Sequence, residues 1–310
     1  MEALKNKTIN SFVRLLYNLW YSLVVAIEKV FFKKIRVSGV VDLKIDEVNF
    51  KMYAHGDDGL VDALYFKNRN YNETLDIRLF KELSKQSNVI LDIGANTGLY
   101  SVISKLSNNE SKVFSFEPYH ANCLRLRKNI DLNGLTGNIE IVEKAIGDSN
   151  SPLIFAVPED DRICDVCSAN TEFTNQFYRK WIKYKNVEVP QITLDEFVFN
   201  QKIDVVDLIK IDVETYELNV FKGSLMLIEK KSPIILVEIF INKDKVLFYE
   251  NVLKPLGYYC YIIINEGILR VDSLVRIPDY KNFILSKKES SEKYLSFSKM
   301  PELIHQIKAK

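Results

Sequence analysis

Asn88-Val-Ile-Leu-Asp-Ile-Gly-Ala-Asn-Thr-Gly-Leu-Tyr-Ser101 is the stretch whose reading decides the fold. Val89 to Ile93 is a short apolar run broken by one acid, which predicts a buried parallel strand. The turn Gly94-Ala95-Asn96-Thr97-Gly98 follows, and Leu99, Val102, Ile103 and Leu106 then recur at helical spacing. A strand, a turn with two glycines and a helix place a ligand at the carboxyl edge of a sheet, where helix N–H groups are free to bind it. A second apolar run, Lys112 to Phe116, ends in Glu117. An acid roughly 20–25 residues beyond such a turn is where nucleoside-binding sheets hold the ribose hydroxyl pair.

The turn also discriminates between nucleosides. A dinucleotide fingerprint needs Gly-x-Gly-x-x-Gly so that backbone can touch a pyrophosphate, and Asn96 stands where the second glycine belongs. A P-loop would need a Lys-Ser/Thr pair that is missing. Asp-x-Gly-x-x-x-Gly suits a ligand with an amino-acid end, S-adenosylmethionine, with Asp92 toward the ammonium and the N–H groups of the turn toward the carboxylate. On this reading Asp92, Gly94, Ala95, Asn96 and Gly98 hold the methionine end and Glu117 the ribose. Ala145 and Ile146 flank the adenine, with Asp148 near its amino group, although Gly147-Asp148 also makes a satisfactory turn.

With these blocks quoted, the chain resembles the FkbM family of methyltransferases. The likeness is carried by Leu91 to Ser101, by Phe116-Glu-Pro-Tyr-His-Ala-Asn122 with Asn129 to Asn133, by Thr193-Leu-Asp-Glu-Phe197, and by Leu208-Ile-Lys-Ile-Asp-Val-Glu-Thr-Tyr-Glu-Leu218. Pro233 to Glu238 is a weaker fifth block, and together they span roughly residues 88 to 240. The chain departs from the family pattern twice: Thr215 stands where glycine is usual, and His120 where proline is common. Thr215 matters more, because glycine adopts φ > 0 cheaply and threonine does not. The resemblance implies an S-adenosylmethionine-dependent O-methyltransferase acting on a hydroxyl of a glycan, a lipid-linked sugar or a secondary metabolite. Two other readings stand beside it, a dehydrogenase on the same sheet and a non-catalytic scaffold that keeps the fold.

Outward from the first strand the core alternates: strand 89–93, helix 98–107, strand 112–116, helix 119–133 and strand 138–143. Further on are a helix at 193–199, a strand at 205–211, a helix at 217–227, a strand at 234–239, a helix at 244–256, and a closing strand pair at 258–264 and 282–285. This pattern predicts an α/β sheet covered on both faces, and the resemblance makes it a Rossmann-like, seven-stranded, mostly parallel sheet with a terminal antiparallel strand. The expected divisions are 1–36, an N-terminal helix; 37–87, a hairpin and lead-in helix; 88–286, the methyltransferase domain; and 287–310, a lysine-rich tail. Within the domain, residues 158–187 are polar and aromatic (Phe173, Phe177, Tyr178, Trp181, Tyr184) and suit either an acceptor lid or a local core.

A net charge of +1 over 310 residues gives no reason to expect nucleic acid as a partner. Four scattered cysteines do not make a disulfide framework and fit a reducing, cytoplasmic setting. Cys164-x-x-Cys167 has no second pair or nearby His to complete a zinc site, so its thiols read as free. Residues 1–36 carry seven basic side chains against Glu2 and Glu28. Their cleanest apolar run, Leu15 to Ile27, is 13 residues, too short to span a bilayer. Trp20 with Tyr17 and Tyr21 suits a helix lying in a membrane interface, and equally one packed on the domain or on a second copy of the chain.

The chemistry is expected where the middle strands end. Lys210-Ile-Asp212-Val-Glu214 puts three charged groups at the end of an apolar strand, and buried charges need partners. Period two places them on one side if the strand continues. Asp212 or Glu214 is the candidate general base, with Glu238 at the end of the next strand assisting and Lys210 as their counter-charge. No metal site is assigned. Two or three such carboxylates also suit a divalent cation, and residue types alone do not separate the roles.

Overall fold

A computed structural model of the chain describes residues 8–12, 14–15, 36–56, 59–66, 73–160, 167–169, 183–264, 267–278 and 280–287. Eight strands form its main sheet, in the order β5 (Ile139–Val142), β4 (Lys112–Phe116), β3 (Val89–Ile93), β10 (Leu208–Ile211), β11 (Ile234–Glu238), β14 (Asn282–Lys287), β12 (Tyr258–Ile264) and β13 (Gly267–Val271). The five strands from β5 to β11 are parallel, whereas β14 runs antiparallel between β11 and β12. The chain starts at β3, builds outward through β4 and β5, and crosses back to β10 on the other side of β3. That reversal leaves a crevice beyond the carboxyl ends of β3 and β10, the switch point where open α/β sheets bind ligands.

Both faces of the sheet are covered, as near-continuous apolar strands require. On one face Ile90 packs with Ile77 and Phe80 from the helix Glu73–Ser84, with Val102 and Ile103 from the helix Leu99–Ser107, and with Leu126 from the helix His120–Leu132. On the other, Leu91 and Ile93 pack with Leu194 and Phe197 from the helix Leu194–Asn200 and with Val220 and Phe221 from the helix Glu217–Lys222. Thr193 caps the 194–200 helix by accepting a 3.2 Å hydrogen bond from the Glu196 N–H. An antiparallel hairpin, β1 (Ser38–Ile45) and β2 (Val48–His55), lies against the His120–Leu132 helix, where Asn129 and Asn133 accept from Tyr53 and Lys51 N–H at 2.8 Å.

Four elements differ from the expected pattern. The edge strand β13 makes the sheet eight-stranded, pairing with β12 through Ile264↔Gly267 to Cys260↔Val271. A short helix, Gly59–Tyr65, follows the turn after β2. The strand expected from 205 begins at Leu208, because Asp207 turns its carboxylate onto the N–H groups of Asn88 and Val89. The single helix expected over 217–227 is two, Glu217–Lys222 and Leu225–Lys231. It breaks at Gly223, where a Cβ would lie 1.9 Å from the Gly147 carbonyl oxygen. No periodicity of side chains reports that backbone approach.

The insertion is anchored by the hairpin β7 (Leu153–Pro158) and β8 (Tyr184–Val189), with Ser168 bridging to Ala156. Residues 161–166 and 170–182, among them Cys164 and most of the aromatics of the expected lid, lie outside the described residues, as do 288–310 and most of 1–35. Among the described residues no helix is long and apolar enough to cross a membrane.

Candidate active site

A cavity of about 410 Å³ opens at the switch point, within the range of small-molecule sites. Its walls come from the turn after β3 (Gly94 to Thr97), from Glu117 beyond β4, from Ala145 and Ile146, from the segment after β10 (Lys210 to Glu214) and from Glu238 at the end of β11. Ten of the thirteen residues expected at the site therefore line one space: Gly94, Ala95, Asn96, Glu117, Ala145, Ile146, Lys210, Asp212, Glu214 and Glu238.

The remaining three are placed elsewhere, each for a physical reason. Asp92 is fully buried beneath the cavity, where one carboxylate oxygen accepts from the Ser101 hydroxyl at 2.5 Å and the other is 3.8 Å from Lys210 Nζ. It lies outside the residues that line the cavity. Gly98 leaves room for Leu126, since a Cβ there would meet Leu126 Cδ1 at 2.1 Å; it serves helix packing. Asp148 is held outside the cavity wall by Asn219, whose side-chain N–H₂ donates to it at 2.9 Å.

Gly94 fixes the spacing of the whole site. Its φ is +79°, and a Cβ would fall 1.9 Å from the Asp212 carbonyl oxygen. The turn after β3 and the segment after β10 can therefore touch backbone to backbone only if this residue has no side chain. Glu117 locks the turn from the other side: one carboxylate oxygen accepts from Asn96 N–H at 3.0 Å, the other from Tyr119 N–H at 3.0 Å and from the Asn122 amide at 3.4 Å. Burial pushes the Glu117 carboxyl up to about 7, against those three donors. A carboxylate has roughly four lone-pair positions, so beyond its three donors Glu117 retains capacity for one incoming hydroxyl.

The charged end of the cavity is a mixed-sign cluster. Lys210 Nζ lies 3.3 Å from Asp212 and 4.4 Å from the ring centre of Tyr100. Burial alone would lower the Lys210 ammonium, but Asp212 and Asp92 outweigh it and hold the group charged. Glu238 pairs with Lys281, which precedes β14 and also lines the cavity. Burial, then the Asp212 charge, push the Glu238 carboxyl up to about 7. Asp212, Glu214 and Glu238 offer oxygens within 4.8 Å of one another, close enough to share a cation, yet Lys210 and Lys281 already supply two positive charges there. Lys281 and Tyr100 were not expected at the site: Lys281 is remote in sequence, and Tyr100, although inside the opening stretch, reads as an ordinary helix residue.

The strand does not continue through Glu214, as period two would have it. It stops at Ile211, and Glu214 and Thr215 turn the chain with φ of +47° and +79°. The left-handed backbone that glycine would adopt is thus retained by threonine. It is held by Glu217, which accepts from the Thr215 N–H at 2.7 Å, by Lys245 bonded to Glu217, and by Ser168, whose hydroxyl donates to the Glu214 carbonyl at 2.7 Å. A β-branched residue in this region costs about 1–3 kcal/mol, and glycine costs back part of that through unfolded-state entropy. Thr215→Gly is expected to raise stability by about 1 kcal/mol in urea unfolding; an unchanged or lowered midpoint would show that the turn is unstrained.

His120 is exposed, with its Nδ1 3.0 Å from Glu143, and it is not among the residues that line the cavity. Cys167 lines the cavity, and the Asn122 amide donates to its Sγ at 4.0 Å.

A 26% identical relative over 168 residues is the hexuronic acid methyltransferase AglP of Haloferax volcanii; the match takes in 54% of this chain and 62% of the relative, so under two thirds of that protein is represented. Among solved structures, the methyltransferase FkbM of Methylobacillus flagellatus is 17% identical, covering 74% of this chain and 55% of that one at a TM-score of 0.40. The O-methyltransferase of Bacillus cereus, solved in complex with SAH, is 14% identical over 70% and 82% of the two chains at a TM-score of 0.39. The family model described as the methyltransferase FkbM domain matches residues 92–260, more than half of the sequence, and the chain belongs to that family.

Proposed function

We propose that the protein is an S-adenosylmethionine-dependent O-methyltransferase acting on a hydroxyl group of a glycan. The observation that carries the reading is the placement of Glu117 and the Gly94–Thr97 turn on one wall of a single cavity, with Lys210, Asp212, Glu214 and Glu238 on the facing side. The lining fits the cofactor. The turn brings bare backbone to the cavity at the carboxyl edge of the sheet, with its Gly94, Ala95 and Asn96 N–H groups bonded to the Phe116 carbonyl and to Glu117; Glu117 supplies an acceptor for a ribose hydroxyl, and Ala145 and Ile146 supply apolar flanks for a base. When bound, that cofactor supplies an electrophilic methyl group on sulfur. The protein's own task is to hold an acceptor hydroxyl in line and to remove its proton.

Glu238 is the base in this reading. Asp212 is engaged with the Lys210 ammonium at 3.3 Å, whereas burial and the Asp212 charge push the Glu238 carboxyl up to about 7 against the Lys281 ammonium paired with it. Asp212 and Lys210 then set the position and field around the hydroxyl. The AglP relative is named for a hexuronic acid, and a sugar with several hydroxyls suits a pocket of three carboxylates and two lysines; this supports a glycan acceptor. A dehydrogenase is disfavoured by Asn96 in the turn, and the scaffold alternative loses its one hint because Thr215 keeps the turn conformation.

Glu238→Gln is expected to lower kcat by about 10²–10⁴-fold, the span of general-base catalysis, with S-adenosylhomocysteine affinity unchanged within about threefold. Retention of wild-type turnover would remove Glu238 from the chemistry. Cofactor affinity should also depend on pH through Glu117. With its carboxyl near 7 in the free protein, the acceptor form is lost as pH falls, so calorimetric Kd for S-adenosylhomocysteine should weaken about tenfold from pH 8 to pH 6. Glu117→Gln should flatten that dependence, and a flat wild-type profile would contradict the ribose assignment.

A further inference from the structure

Asn122 sits in the first turn of the helix His120–Leu132, buried in the cavity wall beside Glu117. Its amide N–H₂ donates to Glu117 at 3.4 Å and to the Cys167 sulfur at 4.0 Å, both long contacts. Its carbonyl oxygen is buried and has no donor among the described residues. The side chains around it offer little. Cys167 belongs with Ala145, Leu153, Phe155 and Ala169 to an apolar cluster that lines the cavity, and a thiol is the strongest side-chain donor in that set. An amide oxygen taken out of water without a donor costs its full desolvation, so an orphan in a cavity wall marks the place of a ligand's donor.

The neighbouring carboxylate leaves a hydroxyl to be placed. Glu117 already accepts from Asn96 N–H, from Tyr119 N–H and from the Asn122 amide, with room for one donor more. A ribose presents two hydroxyls on adjacent ring carbons, so one of them needs a second acceptor within reach. The nitrogen and oxygen of an amide are about 2.2 Å apart, which puts the Asn122 oxygen within about 6 Å of the Glu117 oxygen that its nitrogen touches. Two O–H···O bonds of about 2.8 Å, made by neighbouring hydroxyls, bridge acceptors at that spacing. A second carboxylate here would set like charge against buried Glu117; an amide adds an acceptor without it.

We propose that Asn122 is a second nucleoside-binding residue, whose carbonyl accepts one hydroxyl of the ribose pair while Glu117 accepts the other. The ligand class selected is a ribonucleoside with both hydroxyls free, because a deoxynucleoside leaves one of two buried acceptors without its donor. The long contacts to Glu117 and Cys167 let the amide adjust to an arriving hydroxyl at little cost. This role rests on the cofactor reading given above, which it deepens by requiring both hydroxyls.

Calorimetry on the full-length chain with S-adenosylhomocysteine, and with its 2′-deoxy and 3′-deoxy forms, tests the assignment. Wild type is expected to bind each analogue about threefold or more weakly than the parent nucleoside. In Asn122→Ala, S-adenosylhomocysteine should weaken about threefold to tenfold. One analogue should then bind that variant as well as S-adenosylhomocysteine does, while the other keeps its full penalty through Glu117. A residue that only braced Glu117 would leave both analogues penalised in the variant, and that result overturns the assignment. Wild-type protein that binds either analogue as tightly as S-adenosylhomocysteine also overturns it, whether or not the variant folds. Either of those patterns leaves the methyl-transfer reading standing, whereas wild type that does not bind S-adenosylhomocysteine at all removes both.

Discussion

A buried lysine governs this site. Lys210 ends the strand at the centre of the sheet with its ammonium between Asp92 below and Asp212 beside it, under the ring of Tyr100. An ammonium taken out of water without compensation would lose its proton or unfold its surroundings, so both carboxylates are structural necessities. They come from different strands: Asp92 from β3, held by Ser101, and Asp212 from the segment after β10. One cation thus ties together the two strands whose divergence opens the crevice, while Glu238 on the next strand pairs with Lys281.

The cofactor side and the acceptor side are kept in register by backbone contact. Gly94 lets the first turn touch the Asp212 carbonyl, and Glu117 clamps the same turn through Asn96 N–H. Such a framework is preorganised: the turn and the Glu117 carboxylate are held in place before any ligand arrives, as electrostatic catalysis requires. Thr215 belongs to the same framework, since its left-handed backbone aims the 212–214 segment into the cavity and the Glu217–Lys245 pair holds it there.

Much of this was legible in the residues. An apolar run closed by a glycine turn has few alternatives, and an acid at the end of the next strand falls beside that turn because parallel strands in sequence are neighbours. The candidate positions from Gly94 to Asn96, Glu117 and Lys210 to Glu214 follow from that geometry alone. The misses share one cause: they depend on which side of a backbone faces which neighbour. Asp92 alternates away from the cavity toward Ser101, Gly98 answers to Leu126, and Asp148 is captured by Asn219. The break at Gly223 and the strand Gly267–Val271 arise from tertiary pairing that a local period does not encode, and Lys281 joins Glu238 from the far end of the chain.

The most direct measurement is a crystal structure with S-adenosylhomocysteine bound. The expected result has a ribose hydroxyl about 3 Å from the Glu117 carboxylate, the amino-acid end against the Gly94–Thr97 turn, and the sulfur directed at the space between Asp212 and Glu238. A nucleoside bound elsewhere, or Glu117 turned away from the ribose, would contradict the account.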